Sequence, residues 1–308
     1  MQDKTIEPIW KENYSAIAMS SSEEYLPYLC VCLQSLVDNT DKKHNYDIVI
    51  SSSCENEEKK KIVTSKYSKK NISIRFYNPK RHFENIKLYI SKPRFNEACY
   101  YRIITPEAMP SYKKVVFTDT DLIFNTDVQE LYKINVNGHA IAACIDPTWL
   151  LLISREQKIN STTYKEYGKK VLNLKDISLY YNTGVAIINN QEFKKNDYCQ
   201  KLKKLISENE YLSQEQCAMN SLFNTNIKKL DWRWNLTVPM PKQRLYPEDY
   251  NLKTAKIYHW PGNCKPWNYK KRGFSNKWWK HAKKTPFYDS FKIYKSNLIK
   301  KLTVILTA

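Results

Sequence analysis

The feature that most constrains this chain's fold is a rhythm. From Tyr14 to Thr118, short apolar runs of strand length alternate with longer stretches of helical spacing. Tyr14 to Met19 reads as a strand. The next segment places Leu26, Leu29, Cys30, Leu33, Leu36 and Val37 at three- and four-residue steps, the period of a helix with one buried face, and Pro27 suits its first turn. Ile48 to Ile50 reads as a buried strand, Glu55 to Lys69 as a charged surface helix and Ile72 to Tyr77 as a third strand. Arg94 to Ile104 has helical spacing and is closed by Pro106; Val115 to Thr118 is a fourth strand. Strands alternating with helices predict an α/β fold, a parallel sheet with helices on both faces and right-handed crossovers. Ligands of such sheets bind outside the carboxyl ends of the strands, so residues just past a strand are the first candidates for function. The second half is less regular. Ala140 to Ile145, Val185 to Ile188 and Lys256 to Tyr258 read as strands, and Tyr198 to Ser207 and Gln214 to Phe223 as helices.

Charge divides the chain unevenly. The net charge of its 308 residues is +19, yet residues 269–308 hold eleven Lys or Arg against one acid, Asp289, and so carry ten of those nineteen charges. A nucleic-acid binder would spread basic residues over the body and carry a recognition motif, and neither is found; no nucleic-acid partner is expected. From Phe287 to Ala308 an amphipathic helix is predicted, with Phe287, Phe291, Tyr294, Leu298, Leu302 and Ile305 on one stripe and Lys292, Lys295, Lys300 and Lys301 elsewhere. Lys277-Trp278-Trp279-Lys280 lies upstream. Cations beside aromatics on such a helix suit an anionic membrane surface. The competing reading is a helix packed on the body with its lysines solvated. The eight cysteines include no C-x-x-C pair, and several lie in apolar runs, as reduced core residues do. Met1 to Lys11 is polar and no apolar run approaches the ~20 residues of a membrane span. The expectation is a cytoplasmic protein, peripheral on the inner face of the membrane.

Three segments carry chemistry. In Val115-Val116-Phe117-Thr118-Asp119-Thr120-Asp121 an apolar strand runs out into two carboxylates, which can share a divalent cation with a diphosphate. A polar turn is the other reading of so short a motif. In Asn182-Thr183-Gly184-Val185 a polar step enters a buried strand at one of only five glycines, where a ligand can approach the backbone closely. In His259-Trp260-Pro261-Gly262-Asn263-Cys264-Lys265-Pro266-Trp267 a histidine follows a strand, as a metal ligand can, and Lys265 can reach a phosphate.

Together, and in this order, the three segments resemble family 8 retaining glycosyltransferases, which include bacterial lipopolysaccharide galactosyl- and glucosyltransferases and glycogenin. Members show a strand ending in Asp-x-Asp, a later Asn-x-Gly-Val strand and a late His-x-x-Gly-x-x-Lys-Pro-Trp loop. The resemblance runs from Tyr14 to Trp267. It implies a GT-A type fold, a Rossmann-like nucleotide-binding domain with a mixed central sheet, over residues 1–268. The nucleotide-sugar half would be about 1–125 and the acceptor half about 126–268, with a basic tail from 269 to 308. By the same resemblance Asp119, Asp121 and His259 are ligands of Mn²⁺ (or Mg²⁺), and Gly262 and Lys265 hold the diphosphate of a UDP-sugar. Tyr25, after Ser22, stacks on the base; Arg102, Asn182 and Gly184 belong to the donor site; and Asp146, Glu215 and Gln216 lie beside the reacting sugar. Three departures stand out. Ser20-Ser21-Ser22 replaces an Ala-Asp-Asp or Ala-Ser-Asp stretch, Thr183 a common Ala or Ser, and Glu215 a common Asp. The implied reaction is transfer of galactose or glucose, with retention and an α-linkage, to a saccharide or lipid-linked acceptor of a bacterial surface polysaccharide or lipopolysaccharide. The alternative is a nucleotide-sugar-binding protein without transferase activity.

Overall fold

A computed structural model describes residues 5–91, 96–239, 244–268 and 273–291. The strands are β1 (Tyr14–Ser20), β2 (Asn45–Ser51), β3 (Ile72–Tyr77), β4 (Val115–Thr118), β5 (Leu122–Phe124), β6 (Ile141–Ile145), β7 (Lys158–Ile159), β8 (Thr162–Thr163), β9 (Tyr181–Ile188), β10 (Ile227–Lys229), β11 (Leu236–Thr237) and β12 (Ile257–His259). The α-helices are α1 (Leu26–Asp38), α2 (Glu57–Tyr67), α3 (Thr105–Ala108), α4 (Gln129–Tyr132), α5 (Pro147–Ser154), α6 (Tyr164–Lys170), α7 (Asn190–Asn196), α8 (Tyr198–Glu208), α9 (Gln214–Phe223) and α10 (Ser275–Ala282).

Seven strands form one sheet in the order β10-β6-β9-β4-β1-β2-β3. β1 pairs in parallel with β2 and β4, and β2 with β3, as the alternation predicts. β9 is reversed against both of its neighbours, β4 and β6, so the sheet is mixed. This reversal matters for function. β1, β4 and β6 end at one edge, and β9 begins there, so Asn182 at the start of a strand meets residues that follow strands.

Successive strand residues point to opposite faces, and two cores result. Ala16, Ala18 and Phe117 pack with Ile103, Leu202 and Ala218 on one side. Ile17, Met19, Ile48 and Ile50 pack with Leu29, Leu33 and Val63 on the other. α1 buries ten of its thirteen residues there, at about 1.5–3 kcal/mol for each large aliphatic side chain. A second sheet, β11-β12-β5, sets β12 antiparallel to β5 with His259 opposite Leu122.

Two expectations change. Of the segment expected as a helix over Arg94 to Ile104, residues 94 and 95 lie outside the described residues, and Glu97–Ile104 is a 3₁₀ helix started by the Asn96 side chain, which accepts from Ala98 N at 3.0 Å. In the basic tail, Ser275–Ala282 is helical where no helix was expected. Trp278 and Trp279 are 0% and 6% exposed, which removes them as membrane-facing aromatics. They join Tyr28, Trp267 and Phe291 in a third core, the Tyr28 and Trp267 rings stacked 4.0 Å apart. Phe287 packs on the second core. The tail thus begins as part of the body, and residues 292–308 lie outside the described residues. Among the described residues no helix is long and apolar enough to cross a membrane. All eight cysteines are free, six of them buried.

Candidate active site

Asp119 and Asp121 follow β4, where the chain leaves the large sheet and turns into β5. The pairing of β5 with β12 carries His259 to them, helped by Trp260 N donating to Asp121 O at 3.0 Å. His259 Nε2 lies 3.1 Å from Asp121 Oδ1 and 3.5 Å from Asp119 Oδ2. One ligand atom from each of the three residues falls within 4.8 Å of the others. Two carboxylates and an imidazole suit a divalent cation of Mn²⁺ or Mg²⁺ type, so the residues fit the implied metal.

Gly184 makes the cluster possible. β9 bulges where its pairing with β6 slips between Ala143 and Cys144, and bulges re-aim residues beside active sites. The bulged backbone lies directly under the cluster: Gly184 O accepts from Asp119 N at 2.8 Å. A Cβ on Gly184 would fall into the His259 ring and the Asp119 carboxylate. Gly184 thus gives close approach to the side chains of two of the candidate cation ligands.

The cluster's charges are compensated by neighbours. Arg102, 4% exposed, donates to Asp119 Oδ1 and to Thr183 O. Lys265 donates to Asp121 Oδ2 and, at 2.8 Å, to Trp260 O. Burial opposes ionisation of both aspartates, but Lys265 and His259 outweigh it at Asp121 and Arg102 and His259 outweigh it at Asp119, so both carboxyls are held below their usual range. Burial likewise disfavours a charged His259, yet Asp121 and Asp119 raise it to about 9. Glu215 Oε1 lies 3.1 Å from Arg102 Nε. Burial nevertheless pushes Glu215 up to about 7, against the pull of Arg102. One guanidinium serves two acids here and sits tighter on Asp119, so Glu215 is the acid whose carboxyl is raised.

On the sugar side of the expected donor site the chemistry is different. Asp146 follows β6 and caps α5: its Oδ1 accepts from Thr148 N at 2.9 Å and Trp149 N at 3.3 Å. Its Oδ2 accepts from Asn182 Nδ2 and Gln216 Nε2, each at 3.3 Å. Gln216 Oε1 accepts from Thr183 N at 3.2 Å. Glu215 and Gln216 lie in the first turn of α9, directly after its first residue Gln214, whose φ of +37° is a strained value for a residue with a side chain.

One cavity of about 300 Å³ joins these groups. It is lined by Ser22, Tyr25, Arg102, Asp119, Asp121, Asp146, Asn182, Glu215, Gln216, Gly262 and Lys265. His259 and Gly184 lie beneath it. Ser22 Oγ is buried without a hydrogen-bond partner on the cavity wall. Asn235, fully buried against His259, was missed in the sequence. It ends a short 3₁₀ turn, Trp232–Asn235, before β11, with neither strand periodicity nor a motif to mark it.

A mixed α/β sheet with a cavity of carboxylates and amides at its strand ends is the architecture of the GT-A type glycosyltransferases. The fold is shared with the apo WbbM bifunctional glycosyltransferase (TM-score 0.82, 21% identity, 94% of this chain and 53% of that one). It is shared too with the galactosyltransferase LgtC in complex with donor and acceptor sugar analogs (TM-score 0.67, 20% identity, 88% and 96%). This chain spans about half of WbbM. A Haemophilus influenzae protein is 28% identical over 262 residues, 82% of this chain and 73% of that one. The sequence model of glycosyl transferase family 8 matches residues 16–271, and the chain belongs to that family.

Proposed function

We propose that this protein is a cation-dependent retaining hexosyltransferase. It moves galactose or glucose from a UDP-sugar to a saccharide or lipid-linked acceptor of a bacterial surface polysaccharide or lipopolysaccharide, and forms an α-linkage. One observation carries the reading: Asp119 and Asp121, clustered with the buried His259 beneath them, border the same cavity as Tyr25, Lys265, Asp146, Asn182 and Gln216. A Mn²⁺ or Mg²⁺ ion held by those three side chains supplies positive charge against the leaving diphosphate.

The other roles belong to the chain's own groups. Tyr25 offers a ring to the base, and Ser22 Oγ, which lacks a partner, offers a hydrogen bond beside it. Lys265, which donates to Asp121, would be a second positive charge for the diphosphate. Asp146, Asn182 and Gln216 orient the sugar. Retention by double displacement would need a free carboxylate as nucleophile. Asp146 accepts four hydrogen bonds, and Glu215 lies against Arg102 with its carboxyl pushed up to about 7 by burial. Gln216 is an uncharged amide. This supports a front-side attack in which the acceptor hydroxyl enters on the face the nucleotide leaves and gives its proton to the leaving phosphate. Residues 292–308, basic and rich in aliphatic side chains, would hold the enzyme to an anionic membrane surface.

The test is UDP release from a panel of UDP-sugars with acceptor mixtures, with and without Mn²⁺, beside Asp121→Ala. Mn²⁺-dependent release from one hexose donor, lost in the variant, is expected. Absence of both UDP binding and release would sink the reading and favour a non-catalytic scaffold.

A further inference from the structure

The cation ligand His259 and the sugar-side residue Asn182 are 77 positions apart in sequence, yet one buried amide joins them. Asn235 is 1% exposed. Its Oδ1 lies 2.9 Å from His259 Nδ1, and its Nδ2 lies 2.9 Å from Asn182 Oδ1. An amide's oxygen and nitrogen are assigned from the bonds they make, and here one backbone group fixes them all. Gly184 N can only donate, and it points at Asn182 Oδ1 at 3.0 Å, so that atom is the acceptor. The Asn235 atom facing the same oxygen must then be the NH₂ group. Its carbonyl oxygen faces His259 Nδ1, which must carry a hydrogen. The other ring nitrogen, Nε2, is thereby the one left for Asp119, Asp121 and a cation.

Two anchors hold Asn235 in place. The neighbouring Trp234 is buried, with Lys256 Nζ 4.3 Å from its ring centroid. Leu236 and Thr237 pair in parallel with Tyr258 and His259. The rotamer of Asn235 is thus set by the same strand pair that delivers the histidine.

We infer that Asn235 is a positioning residue which sets the ring orientation and hydrogen placement of His259 for cation binding and, through its second hydrogen bond, holds the Asn182 side chain toward the donor sugar. The inference rests on the cation-dependent reading given above. Asn235 is not among the residues lining the cavity. It orients one group at each end of the site through a separate hydrogen bond.

The two bonds can be cut separately. Asn235→Asp keeps an acceptor for His259 Nδ1–H and loses the donor to Asn182, setting a carboxylate oxygen against the Asn182 carbonyl. Asn235→Leu, of similar size, loses both. The readout is Mn²⁺ binding to the full-length chain without donor, by titration and by the signal of free Mn²⁺ in electron paramagnetic resonance, with KM for the UDP-sugar measured separately. N235L should bind Mn²⁺ about 10–100-fold more weakly, the usual effect of removing a group that orients a metal-bound histidine. N235D should hold Mn²⁺ nearly as the parent does and raise KM for the donor. If N235L does not fold, Asn235→Ser is too short to make either contact and takes its place. Equal Mn²⁺ affinity in all variants overturns the inference, as does an N235D protein that loses Mn²⁺ as fully as N235L. A parent chain that binds no Mn²⁺ overturns the cation reading itself, and the inference with it.

Discussion

The two ends of the cavity are built on opposite principles. At the cation end, full charges face one another: Asp119 against Arg102, Asp121 against Lys265, and His259 against both aspartates. At the sugar end a single carboxylate, Asp146, is saturated by two backbone N–H groups and two amides. Buried charges are costly unless paired, and here each acid has a positive partner. Neutral amides cost less to bury and hold direction well, which suits a surface that must orient hydroxyl groups. The contrast separates charge neutralisation from orientation, and each of the following experiments presses on one side of it.

The largest effect is expected from Asp121→Ala. It removes a ligand and leaves Lys265 without its partner, and turnover and Mn²⁺ binding should both vanish with circular dichroism unchanged. Retained Mn²⁺-dependent turnover would remove Asp121 from the ligand set. At the sugar end, Gln216→Leu deletes one donor to Asp146 and the acceptor for Thr183 N. A hydrogen-bond loss of about 1–3 kcal/mol should lower kcat roughly 10–100-fold, with Mn²⁺ affinity intact. Weakened Mn²⁺ binding would erase the separation of the two ends.

Gly184→Ala attacks the cation end without touching a ligand. Its Cβ would displace His259 and Asp119, so Mn²⁺ affinity should fall and stability drop by about 1–3 kcal/mol in urea denaturation. Unchanged Mn²⁺ binding would mean that the cluster can shift aside.

Glu215 stands on the border between the ends, and its behaviour should depend on pH. Its folded value, about 7, lies above the ordinary 4.5. Below 4.5 the carboxyl is neutral in both folded and unfolded chains. As pH rises toward 7 only the unfolded chain ionises freely, so the fold loses up to about 3 kcal/mol. Glu215→Gln removes that loss. Its Tm should match the parent near pH 4.5 and exceed it at pH 8. A gap that does not widen with pH would show Arg102 keeping Glu215 ionised throughout.

The smallest effect on the site is expected from deleting residues 292–308, which leaves Phe287 and Phe291 in their cores. Turnover on a soluble acceptor should persist while retention on anionic liposomes is lost; undiminished retention would refute the membrane role of the tail.

Local pattern made much of this legible in the sequence. β4 at Val115–Thr118 and α9 at Gln214–Phe223 occupy the residues expected of them, because their apolar spacing is a property of the segment itself. The ordered motifs likewise pointed to residues that do converge on one cavity. β5, β10 and β11 are not legible in the sequence, because two or three residues carry no period. Trp278 and Trp279 look the same in sequence whether they face a bilayer or a protein core, and it is Tyr28, Trp267 and Phe291 that decide. The reversal and bulge of β9, the sharing of Arg102 between Asp119 and Glu215, and the bridging amide of Asn235 were likewise decided only by the tertiary structure. Sequence spacing determines which face of an element is apolar. Strand direction, register and the identity of a buried polar group's partner depend on residues far away in the chain, and these set the site's chemistry.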